Sequence, residues 1–206
     1  RLMLVEHFLR QNDAKNALST AQAAVAALPD APELLDALGR AQTANGEHNQ
    51  ALSSFNKMVG LLPGSPLPYV RMASVHVASK DNNAAMQSLR KALEIQPDLL
   101  AAQRGLADLA VKANQPSQAL AVSRTVQQQR PKEAVGFVLE GDVQAVGKNW
   151  GLAADAYRAV LAATPADADA QARAVQLGHV DPVSVLSVPR GRFIEDVNHV
   201  DVDREG

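Results

Sequence analysis

PELLDALGRAQTANGEHNQALSSFNKMVGLLPGS, residues 32–65, contains the whole plan of the chain. Pro32 stands where the first turn of a helix tolerates a proline. Leu34, Leu35, Leu38 and Ala41 recur at helical spacing. Asn45-Gly46 then ends that helix, because Asn and Gly accept the left-handed backbone found at helix ends. Ala51, Leu52, Phe55, Met58 and Val59 form the apolar stripe of a second helix, which Pro63-Gly64 closes. The stretch therefore reads as two helices and two turns.

The same plan extends in both directions. Pro29, Pro63, Pro97, Pro131 and Pro165 are spaced by 34 residues. With 11 prolines in 206 residues, five in one phase arise by independent draws with a chance of about 10⁻⁵. Ala17, Ala51, Ala85, Ala119 and Ala153 keep the same period, each 12 positions before its proline. The turns between paired helices are chemically alike: Gln11-Asn12-Asp13, Lys80-Asp81-Asn82-Asn83, Ala113-Asn114-Gln115-Pro116 and Gly147-Lys148-Asn149. Each is a polar, Asn-bearing break between apolar helices.

Composition agrees with closely packed helices. Hydrophobic residues make up 47% and charged residues 20%, as in a folded chain rather than a disordered one. Aromatics are only 3%, and alanine fills most of the apolar class, which disfavours a β-sandwich. A net charge of −2 argues against a nucleic-acid binder and a polybasic membrane binder. The absence of cysteine removes disulfides, Cys-ligated zinc and thiol catalysis. No apolar run approaches the roughly 18 residues of a bilayer span.

This pattern resembles the tetratricopeptide repeat (TPR) family. The family places a large residue, Leu-Gly, an aromatic, Ala, an aromatic, Ala and Pro at fixed positions. The second unit supplies Leu35, Leu38-Gly39, Gln42, Ala51, Phe55, Met58 and Pro63. The third supplies Tyr69, Met72-Ala73, His76, Ala85, Leu89, Ala92 and Pro97. The fifth supplies Phe137, Glu140-Gly141, Gln144, Ala153, Tyr157, Val160 and Pro165. Gln42, Gln103, Ser123, Glu140 and Gln144 depart from the pattern and are expected to weaken local packing. The resemblance implies an all-α, right-handed α-solenoid of about five helical hairpins over residues 1–180. Its units are 1–31, 32–65, 66–99, 100–133 and 134–167, followed by a capping helix at 168–180. Residues 181–206 read as an irregular acidic tail or linker; the stretch from His179 onward holds six acids against three arginines. A sharper expectation is that Val183, Val185, Leu186 and Val188 dock on the last helices and cover their apolar end.

In TPR proteins the first helix of each hairpin lines a concave groove. The resemblance puts Asp36, Arg40, Val70, Ser74, Val77, Arg104, Asp108, Val111, Val138 and Asp142 on that groove, with Glu6 entering from the first unit. Steps of three and four residues keep such positions on one helix face. The valines are expected to meet apolar side chains of a partner. The arginines could meet its carboxylates, or pair locally as Asp36–Arg40 and Arg104–Asp108, both (i, i+4). The lysine and asparagine clamp by which some TPR proteins grip heat-shock chaperones is absent, which argues against a co-chaperone.

Nothing in the sequence assembles a catalytic site. His7, His48, His76, His179 and His199 lack metal-ligand spacing, and no nucleophile elbow, phosphate loop or dinucleotide fingerprint occurs. The expectation is a non-catalytic scaffold with no cofactor and no metal, binding a protein or peptide partner, without nucleic acid or membrane insertion. The alternatives are an accessory region of a larger enzyme or secretion machine, and a spacer that self-assembles into a homo-oligomer through its ends. ALAVSRTVQQQRP and EGDVQAVGKNWGLAADAYRAVLAATP resemble bacterial TPR lipoproteins of exopolysaccharide and protein-sorting systems of the PEP-CTERM/exosortase type. That likeness implies a periplasmic or outer-membrane-associated location in a Gram-negative bacterium rather than the cytoplasm.

Overall fold

Asn12, Gly46, Lys80, Asn114 and Lys148 all have positive φ and stand 34 residues apart. They mark the bend of five helical hairpins in a computed structural model that describes residues 1–163. Ten α-helices and no strand occur among the described residues. The hairpins are α1 (Leu2–Arg10) with α2 (Ala14–Ala27), and α3 (Pro32–Ala44) with α4 (His48–Leu61). Next come α5 (Leu67–Ala78) with α6 (Asn82–Ile95), and α7 (Leu100–Lys112) with α8 (Pro116–Gln129). The last is α9 (Val135–Val146) with α10 (Trp150–Ala163). The expected capping helix at 168–180 and the tail at 181–206 lie outside the described residues.

Each bend closes by the same pair of backbone hydrogen bonds. The N–H after the left-handed residue donates to a carbonyl five residues back: Asp13 to Phe8, Glu47 to Gln42, Asp81 to His76, Gln115 to Ala110 and Asn149 to Gln144, at 2.8–2.9 Å. The left-handed residue itself donates three back, as Gly46 does to Thr43 at 3.1 Å. This is a Schellman closure, and it consumes carbonyls that the end of the helix leaves open. Asp13 and Asp81 then cap the second helix, accepting from the backbone N–H of Asn16 and Ala84. Asn-rich turns predict Asn or Gly at the bend. Lys80 and Lys148 occupy it instead, because the closure dictates the register and the neighbouring Asn residues fall one or two places late.

Within a hairpin the helices meet through small residues. A Cβ on Gly39 would lie 2.5 Å from the Phe55 ring, and one on Gly141 would lie 2.6 Å from the Tyr157 ring. The glycines therefore make room for the aromatics 16 positions later. Between hairpins, Ala17, Leu18 and Ala21 of α2 pack with Ala37, Leu38 and Ala41 of α3, and Val5 of α1 joins them. Ala51, Phe55 and Met58 of α4 likewise meet Met72 and Val75 of α5. Ala119 and Val126 of α8 meet Leu139 and Val143 of α9.

The polar departures from the family pattern behave differently from the expected weak spots. Gln42 accepts from the Ser54 hydroxyl at 2.7 Å in the core. Gln103 donates to Gln129 at 2.6 Å. Ser123 donates to the Ala119 carbonyl at 3.1 Å, Gln144 accepts from Asn149 at 3.0 Å, and Glu140 accepts from Gln127 at 2.7 Å. Each polar group that replaces a large apolar one has found a partner, which removes most of the cost of burying it.

The described residues divide into two compact units, the first ending at Pro97 and the second beginning at Asp98. In the first, α1, α3 and α5 pack side by side; in the second, α7 packs on α9. First helices of neighbouring hairpins approach one another more closely than second helices do. Each unit is therefore bent with its first helices on the inner side.

Candidate protein-binding face

The inner face of the first unit is built from α1, α3 and α5. Its centre is a ladder of ion pairs. Arg40 donates from Nη1 to Glu6 Oε1 at 2.5 Å and from Nη2 to Oε2 at 3.2 Å. Arg71 donates from Nε to Asp36 Oδ1 at 2.6 Å and from Nη2 to Oδ2 at 3.2 Å. Both are two-point guanidinium–carboxylate pairs, the geometry that makes such contacts strong and directional. Arg40 also stands 3.8 Å from Asp36 on its own helix. One chain of alternating charge thus runs from Glu6 through Arg40 and Asp36 to Arg71, across three successive hairpins. The partners are 34 and 35 positions apart in sequence, one repeat length.

The ladder changes how several expected site residues read. Asp36 and Arg40 lie on the inner face as expected, and the local Asp36–Arg40 pair exists. Their closer partners, however, come from neighbouring repeats. Arg71, which the groove positions do not include, is only 4% exposed and anchors the last rung. The signal that would have found it is opposite charge at one repeat length rather than at four residues.

Val70 is 1% exposed, so it is a core residue and not a contact for a partner. The expectation fails there because α5 turns Val70 inward together with Met72, Ala73 and Val75, all buried. A carboxylate at this position would go into the core. Ser74 and Val77 are half-buried on the same helix. The Ser74 hydroxyl donates to the Val70 carbonyl at 3.3 Å, and that of Thr43 on α3 to the Gly39 carbonyl at 2.7 Å.

The inner face of the second unit comes from α7 and α9. Arg104, Asp108, Val111, Val138 and Asp142 are all half-buried there. Asp108 accepts from Lys112 Nζ at 2.6 Å, an (i, i+4) pair one turn further along than the one expected with Arg104. Asp142 accepts from the Tyr157 hydroxyl at 2.6 Å, which ties α9 to α10. Val111 packs against the core cluster of this unit, so only part of its side chain reaches the face. Among the described residues no group of three or more His, Asp or Glu side chains could hold a metal ion. No helix among them is long and apolar enough to cross a membrane.

Two family models, both described as tetratricopeptide repeat, match residues 2–66 and 76–136, together more than half of the chain. No curated protein sequence matches it. Among solved structures it is similar to MamA, at 18% identity and a TM-score of 0.62, covering 82% of this chain and 92% of that one. It is also similar to YrrB, described as a TPR protein with an unusual peptide-binding site, at 16% identity and a TM-score of 0.58, covering 85% of this chain and 89% of that one. An O-GlcNAc transferase mutant from Thermobaculum terrenum aligns at 23% identity and a TM-score of 0.53, over 62% of this chain and 25% of that one. At these identities the likeness is one of fold. The matched repeats and the hairpin geometry together make this chain a member of the tetratricopeptide repeat family, whose repeats serve in general as non-catalytic scaffolds for protein–protein interaction.

Proposed function

We propose that each of the two units holds a segment of a partner protein against its own inner face. The observation that carries this reading is the set of apolar residues left half-buried on each face by itself: Leu9 and Val77 on that of the first unit, and Val111, Val135 and Val138 on that of the second. A partner would complete their burial, and removing apolar area from water is the main drive of such association.

We further place the scaffold in a bacterial envelope assembly for polysaccharide export or protein sorting, in the periplasm or at the outer membrane. The support is the resemblance of the fourth and fifth units to TPR lipoproteins of that kind. A second reading is an accessory region of a larger enzyme. The alignment with one quarter of the transferase chain favours it, because there the same repeat fold is a minor part of an enzyme's length.

The test is a crosslinked pull-down from the source cell, read by mass spectrometry, with the intact chain beside a Val77→Asp/Val138→Asp variant. Both substitutions fall on half-buried positions, so far-ultraviolet circular dichroism should be unchanged. A partner captured by the intact chain and lost from the variant supports the reading. A partner held equally by both removes it.

A further inference from the structure

We propose that the inner face of the first unit recognises an uncharged, apolar segment, and that its charges join the repeats instead of reading the partner. This deepens the groove reading above and rests on it.

The argument starts from what each polar group on the face is already doing. Glu6, Arg40, Asp36 and Arg71 carry two negative and two positive charges, and each has its counter-ion within the unit. A partner carboxylate that approached Arg40 would have to displace Glu6 from a two-point pair. Glu6 would then stand half-buried without its cation, so the exchange gains little. Ser74 and Thr43 are similarly engaged, since their hydroxyls donate to carbonyls of their own helices. Arg10 on α1 and Glu33 on α3, the remaining Arg and Glu of these three helices, are exposed, where salt screens them.

What the face still offers is apolar. Leu9 on α1, the Thr43 methyl on α3, and Leu67 and Val77 on α5 are half-buried, and Ala44 and Ala78 lie exposed beside them. Leu9, Thr43 and Val77 recur once per hairpin, 34 residues apart, at matching positions of successive first helices. Packed helices lie about 8–10 Å apart. The complementary segment therefore presents apolar side chains at about that interval and carries no charge in fixed register.

The probe is a library of random twelve-residue peptides displayed on phage, selected against the immobilised intact chain at physiological and at molar salt. The expected result is enrichment of apolar peptides that survive molar salt. Binding of the enriched peptides should fall about tenfold or more in Val77→Asp, where a buried carboxylate would replace the valine contact. It should change by no more than about twofold in Glu6→Gln/Arg40→Gln, which removes one rung without leaving a lone charge. Thermal melts followed by circular dichroism establish that both variants are folded, and Val77→Ser serves as the milder substitution if Val77→Asp is not. Enrichment of peptides with acids or bases in fixed register, or loss of binding at molar salt, overturns the inference while leaving groove recognition standing. Absence of any enrichment overturns groove recognition and this inference with it.

Discussion

Single residues in this chain are constrained mostly by backbone register. Gly39 faces the Phe55 ring where even one methyl group does not fit. In the third unit the matching positions are Ala73 and Leu89, an extra methyl against a smaller side chain. Gly39→Ala should therefore cost about 1–3 kcal/mol by overpacking. Adding Phe55→Leu should return part of that loss, and a double-mutant cycle in urea would measure the coupling. Additive losses would show that the two positions do not share one space. Lys80 poses the opposite case, because an exposed lysine sits at φ 63°. Lys80→Gly should stabilise the fold by about 1 kcal/mol, since glycine adopts that conformation without a Cβ clash. A lowered melting temperature would contradict this.

Helices in the first unit are joined by charge as well as by the apolar core. Asp36 is the rung on which this depends, because it faces both Arg71 and Arg40. Asp36→Asn removes the carboxylate that holds the buried Arg71 in a two-point pair and should cost about 3–5 kcal/mol. Arg71→Met should cost less, because Asp36 keeps Arg40 as a neighbour at 3.8 Å. Equal losses in denaturant titrations of the two variants would mean that the ladder contributes as isolated pairs. None of these side chains is adjacent in sequence to its main partner, which is why the local pairing Asp36–Arg40 looked sufficient from the sequence.

At the scale of the molecule, a repeat protein transmits little beyond its nearest neighbours. The effect of Asp36→Asn should accordingly be local. Hydrogen exchange should quicken in α1, α3 and α5 and stay at its original rate in α9 and α10. Uniform acceleration through α10 would show that the whole chain opens as one cooperative body.

The 34-residue period and the pairing of helices were legible in the sequence, because proline, alanine and turn residues act locally and repeat every 34 positions. Helical spacing keeps Asp36 and Arg40 on one side of α3, and the TPR resemblance is what assigned that side to the groove. Which of its residues remain open was decided by tertiary packing. Val70 and Val77 have the same side chain on the same helix, yet one is buried in the core and the other is half-buried. Arg71 shows the reverse, a charge drawn inside because Asp36 of the preceding hairpin meets it there. Local spacing determines the helix face on which a side chain starts, but its burial and counter-ion come from neighbours one repeat away.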